Sequence, residues 1–198
     1  MNKIKMTIMR IFLVFLSFLA ITLTACKKDD DGDKNGLKNA FSYDGKTYST
    51  PKALLEQYGE NYGGGSHDFD FTFYSNGFTW DSQEEDFTGT GEAVYIDLNS
   101  SSPTEVTPGN YTVELEADRE AFNIVFAITV LQYNKDTETG TELEVTAGSA
   151  TVAKSGATYT VEYDFTVTGG KKVKGHFEGV PTIADYSKKK AIGPKIRF

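Results

Sequence analysis

From residue 159 onward the chain alternates. Tyr159, Val161, Tyr163, Phe165 and Val167 are apolar, and Thr160, Glu162, Asp164 and Thr166 between them are polar. An extended strand sends successive side chains to opposite faces, so this period predicts a strand with one face buried. Gly169-Gly170 turns it into a second strand over 172–180, and together they read as a hairpin. The same period recurs upstream. His67, Phe69, Phe71 and Phe73 oppose Asp68, Asp70, Thr72 and Tyr74; Val94, Ile96 and Leu98 oppose Tyr95, Asp97 and Asn99. Tyr111, Val113 and Leu115 alternate with Thr112, Glu114 and Glu116 after the turn Pro108-Gly109, and Leu143 and Val145 alternate with polar neighbours ahead of a further strand at 150–153.

Two segments break the pattern. Phe122 to Tyr133 is apolar on both faces, which predicts a central strand covered on both sides. Thr50 followed by Pro51, then Lys-Ala-Leu-Leu-Glu-Gln-Tyr and Gly59, carries the marks of one short helix: a capping hydroxyl, proline at the first position and glycine at the end. Phe41 to Tyr48, with Asp44-Gly45 at its centre, reads as a small hairpin. The total is roughly nine short strands and one N-terminal helix, an all-β domain. An antiparallel β-sandwich is the expected architecture, with a lipocalin-like β-barrel as the alternative.

The amino terminus carries a different signal. Residues 1–10 are basic, and residues 11–23, IFLVFLSFLAITL, are almost wholly apolar. These match the first two regions of a secretory signal, and the run is short for a membrane-spanning helix. It ends in Leu23-Thr24-Ala25-Cys26, and Cys26 is the single cysteine of the chain. This stretch resembles the lipobox of bacterial lipoproteins. The resemblance implies cleavage before Cys26 and a diacylglyceryl thioether on its sulfur. Two or three acyl chains, at about 0.8 kcal/mol per buried CH₂, make such an anchor effectively permanent. The plainer alternative is an ordinary signal peptide with an incidental cysteine. Lys27, Lys28, Asp29, Asp30 and Asp31 follow at once. They look like the lysine-then-acidic export signal of Bacteroidota surface lipoproteins, which implies the outer face of the outer membrane. The alternative is a solvated charged tether.

These readings divide the chain into a signal peptide (1–25), a lipidated flexible tether (26–39), an all-β domain (40–186) and a basic tail (187–198) holding Lys188, Lys189, Lys190, Lys195 and Arg197. The late hairpins also resemble small all-β lipoproteins of the same bacterial group that have no assigned function.

Chemistry is harder to find. The formal net charge of −8, more acidic still without residues 1–25, argues against nucleic acid as a partner. There is no Gly-x-Ser-x-Gly, and the lipobox resemblance implies that the one thiol is taken up by lipid. Asp31, Asp33, Asn35 and Gly36 match the early positions of an EF-hand-like calcium loop, but Ser42 stands where its bidentate glutamate belongs. His67 and His176 fall on opposite sides of their strands, which argues against a shared haem or metal. Asp68 and Asp70 share a strand face, and Asp81, Glu84, Glu85 and Asp86 crowd a loop; both groups read as solvated acidic surface. Phe78 and Trp80, between two strands near that loop, are the candidate ligand contacts, because aromatic rings beside carboxylates suit a sugar. No catalytic, cofactor or metal residue is assigned.

The expectation is an outer-membrane surface lipoprotein whose β-domain binds a glycan or other small extracellular ligand without catalysis. Its partners would be the membrane, through the anchor, and that ligand. The alternative is a structural or interaction subunit of an envelope or fimbrial assembly with a protein partner. A polysaccharide hydrolase using two loop carboxylates ranks third.

Overall fold

The computed structural model describes residues 36–61, 65–115 and 120–188. Cys26, the export residues Lys27 to Asp31, the EF-hand-like positions up to Asn35 and the tail from 189 lie outside the described residues.

Twelve strands form among the described residues: β1 (Ala40–Tyr43), β2 (Lys46–Ser49), β3 (Lys52–Glu60), β4 (His67–Tyr74), β5 (Phe78–Asp81), β6 (Asp86–Ser100), β7 (Gly109–Val113), β8 (Asn123–Asn134), β9 (Thr139–Ser155), β10 (Thr158–Val167), β11 (Lys172–Gly179) and β12 (Thr182–Asp185). They make one hydrogen-bonded path in the order β12-β3-β4-β6-β8-β7-β9-β10-β11-β1-β2; β5 attaches to β6, and β8 also pairs directly with β9. Most pairs are antiparallel, but β12 runs parallel to β3 and β7 parallel to β8, so the sheet is mixed. Alternation identifies the face a residue occupies and leaves the partner strand open, which is why the two parallel pairs depart from the antiparallel expectation.

The sheet curls until its inner face meets itself. Phe71 on β4 lies 5.5 Å from the ring of Tyr159 on β10, and Phe73 lies 5.1 Å from Phe177 on β11 and 5.8 Å from Tyr163. Along the sheet, β4 and β10 are separated by β6, β8, β7 and β9. The inward residues of the alternating strands fill this core: Phe69, Phe71 and Phe73, Val94, Ile96 and Leu98, Val161 and Phe165. Each large apolar side chain buried there contributes roughly 1.5–3 kcal/mol.

The expected helix is a strand. Residues 52–60 form β3, between β12 and β4. Ala53 and Leu55 enter the main core, while Leu54 joins a second cluster on the outer face with Tyr74, Phe78, Phe87, Tyr95 and Val130. Both faces being covered, adjacent leucines suit a strand, and tertiary burial overrides the helical marks. The two strands expected at 143–145 and 150–153 are one continuous strand, β9. Within it Gly148 has a φ of 132°. A Cβ there would come within 2.3 Å of the Asp164 carbonyl oxygen, so β9 can approach β10 this closely only through glycine.

Asn39 fastens the start of the domain. Its side-chain amide donates to the Glu178 carbonyl (3.1 Å) and accepts from the Glu178 N–H (2.8 Å), while its own carbonyl accepts from the Thr50 N–H (2.8 Å). The amide thus extends the β1–β11 pairing by one position.

Candidate functional site

Two places concentrate polar chemistry. The first is an open cleft of about 470 Å³. Ser49 from the end of β2, Ser75 and Asn76 from the β4–β5 turn, Thr90 and Glu92 from β6, and Gln132 from β8 line it. The turn is tied to β6 by Ser75: its N–H donates to the Glu92 carbonyl (2.9 Å) and its hydroxyl accepts from the Glu92 N–H (3.1 Å). Gly77 sits against Thr90, where a Cβ would meet the Thr90 carbonyl oxygen at 2.0 Å, so glycine brings turn and strand together. Opposite, the register slips twice. The β6–β8 pairing shifts between Gly91 and Ala93, and the β8–β9 pairing between Leu131 and Asn134. Gln132 lies between these slips with φ at 50°, in the left-handed region that an L residue adopts at a cost. Bulges commonly re-aim a side chain in this way, and here the one re-aimed lines the cleft.

The second place is a buried carboxylate patch on the outer face. Register puts Glu56, Asp70 and Asp97 in one row across β3, β4 and β6, with Asp68 two residues along β4 and beside Asn99. Their exposures are 1%, 0%, 4% and 6%. Asp70 Oδ2 accepts from the Tyr95 hydroxyl at 2.6 Å, and Glu56 Oε1 accepts from the Tyr58 hydroxyl at 3.1 Å. Tyr58 stacks on Tyr186, centroids 5.4 Å apart. Burial, then the charges of Asp97 and Asp68, push the Asp70 carboxyl well above the usual carboxylate range; the Tyr95 hydrogen bond opposes this, and Glu56 adds to it. Burial, then Asp70 and Asp97, likewise push the Tyr95 phenol well up. One oxygen from each of Asp68, Asp70 and Asp97 lies within 4.8 Å of the others, so these three residues could hold a metal ion.

The patch corrects the expectation that Asp68 and Asp70 form solvated surface. Polar alternation on a strand usually marks the wet face; here β3 and β6 bring further carboxylates and tyrosines against it. Phe78 is corrected too: it is fully buried in the outer cluster, so it is unavailable to a ligand. Trp80 is partly buried and packs on Phe87, centroids 5.0 Å apart. Neither aromatic lines the cleft. In the acidic loop, Asp81 Oδ1 accepts from the N–H groups of Gln83 (2.8 Å) and Glu84 (3.2 Å), and Asp86 pairs with Lys135 at 3.5 Å. His67 shares the inner parity of Phe69 and Phe71, whereas His176 shares the outer parity of Lys172 and Lys174, so the structure does not bring the histidines together.

Comparison with protein-family models, with curated proteins and with solved structures finds no match to the chain.

Proposed function

We propose that the chain is an outer-membrane lipoprotein, acylated at Cys26 and exported to the cell surface by Lys27 to Asp31, whose β-domain binds a glycan without catalysis. The observation that carries the binding reading is the cleft with the strained Gln132 on its wall. Two hydroxyl groups from serine, one from threonine, two side-chain amides and one carboxylate line it, a set that matches a hydroxyl-rich ligand rather than an apolar one. Glu92 is its single lining carboxylate, whereas glycoside hydrolysis by paired carboxylates needs two; this favours binding over hydrolysis. The ligand contact moves accordingly from Phe78 and Trp80 to the cleft. The continuous, curled path of strands supports an open barrel over two separate sheets as the finer description of the fold.

The test uses the full chain produced in a Gram-negative host. Wild type should incorporate labelled palmitate and Cys26→Ser should not. On a glycan array the wild type should bind a defined subset. Glu92→Gln should weaken that binding roughly 10- to 100-fold, the scale of one charge-assisted hydrogen bond, with the melting temperature unchanged. An array without binding would reject the ligand reading.

A second reading, an interaction subunit, has its own support. The edge strand β12 carries Ile183, 63% exposed, just after Val180, 64% exposed. Unpaired strand edges with apolar side chains accept strands from other proteins. A fixed partner that co-purifies with wild type and is lost on Ile183→Lys would favour this reading.

A further inference from the structure

The buried carboxylate patch shares no residue with the cleft, and its geometry asks for a ligand of its own. Oxygens bound to one calcium ion, at about 2.3–2.6 Å each, are at most about 5 Å from one another. The oxygens of Asp68, Asp70 and Asp97 meet that condition at 4.8 Å or less, on three side chains removed from solvent. A separate observation concerns Asp70 alone. It is completely buried; its Oδ2 is held by Tyr95, and its Oδ1 has no hydrogen-bond partner. Buried polar atoms are nearly always satisfied, and an orphaned carboxylate oxygen among other carboxylates is suited to a cation.

We propose that Asp68, Asp70 and Asp97 bind a calcium ion on the outer face of β4 and β6, through Asp70 Oδ1, with Glu56 completing the acidic wall on β3. Calcium fits better than its competitors. Magnesium binds at about 2.0–2.1 Å in a near-ideal octahedron and retains several waters, a poor match for residues this covered. Zinc favours nitrogen and sulfur donors, and the set here is oxygen only. Tyr95 fits the arrangement: its hydroxyl occupies Oδ2 of Asp70 and leaves Oδ1 without a hydrogen-bond partner. The ion would join β3, β4 and β6, the strands on which both core clusters meet, so binding and fold stability are coupled.

The experiment is a thermal melt of the full chain, purified in detergent, with excess EGTA and then with calcium or magnesium, alongside equilibrium dialysis against radioactive calcium. The expected result is about 5–10 °C of stabilisation at a calcium concentration a hundred times the dissociation constant, a much smaller response to magnesium, and one tight site per chain. Asp70→Asn, which keeps the acceptor for Tyr95, and Asp97→Asn should each abolish the calcium response. In EGTA each should melt no lower than wild type, since both relieve repulsion between neighbouring carboxylates. Wild type that neither binds radioactive calcium nor shifts would overturn the proposal and leave a carboxylate patch sharing protons. A calcium response retained in both variants would also overturn it, because the ion would then sit elsewhere, for instance on Asp31 and Asp33. Equal responses to the two metals would overturn the choice of calcium.

Discussion

Tyr163 shows how tightly single residues are held. Its ring stacks between Phe73 and Phe165, 5.8 and 5.3 Å away, and faces Gly175 on β11. A Cβ at position 175 would come within 2.1 Å of the ring, so the glycine makes room for the aromatic. The Tyr163 hydroxyl is fully buried and has no hydrogen-bond partner, and burial pushes its pKa far up. A buried hydroxyl without a partner costs about 1–3 kcal/mol. Tyr163→Phe removes that group and keeps the ring, so it should raise unfolding stability by about 1 kcal/mol in a denaturant melt. A loss of stability would mean that the hydroxyl is satisfied by water.

At the scale of elements, the bulge in β8 carries a measurable strain. Gln132→Gly should raise stability by about 0.5–1 kcal/mol, because glycine adopts a positive φ without the Cβ clash. It should also weaken glycan binding if the side chain is a contact, and the two effects together, read from one melt and one binding curve, mark strain retained for function. Elements also differ in how far the sequence discloses them. The alternation of β10 and β11 is visible residue by residue, because each has one wet face. β3 is not, because Leu54 and Leu55 are both buried and nothing local distinguishes two covered faces from a helix. The carboxylate patch was half visible: Asp68-x-Asp70 and Tyr95-x-Asp97 each showed their alternation. Their juxtaposition, and the arrival of Glu56 and Tyr58 beside them, depends on a register between distant strands. The cleft was hidden for the same reason, since its lining comes from β2, β6, β8 and one turn. Phe78 was misplaced because a short strand, β5, folds it under Phe87.

For the molecule as a whole, Asp70 contributes a pH dependence opposite in sign to that of a carboxylate whose pKa folding lowers, such as Asp185. Asp70 has a carboxyl pKa raised in the folded state, so the metal-free fold binds a proton more tightly than the unfolded chain. That contribution is complete below the unfolded pKa, about 3.9, and is lost as pH rises through the raised folded value. In EGTA, wild type should therefore fall progressively below Asp70→Asn in melting temperature as pH is raised from 5 to 8. Glu56, Asp68, Asp97, Tyr58 and Tyr95 face or adjoin the same group and are common to both proteins, so the difference isolates Asp70. Calcium should flatten or invert the trend, because it competes with the proton for the same oxygens. A difference independent of pH would show that Asp70 titrates normally.

The Asn39 amide has a mechanical consequence. If the chain is tethered by its amino end, any drag on the domain enters at the start of β1. β1 is gripped on both sides, by β2 and β11, and Asn39 grips the Glu178 backbone one position ahead of it. A pull along β1 then loads several hydrogen bonds in parallel, where a peeling force would meet them one at a time. Under such a tether the amide would act as a strain relief, taking the load at the entrance before it reaches Phe41 and the aromatic core.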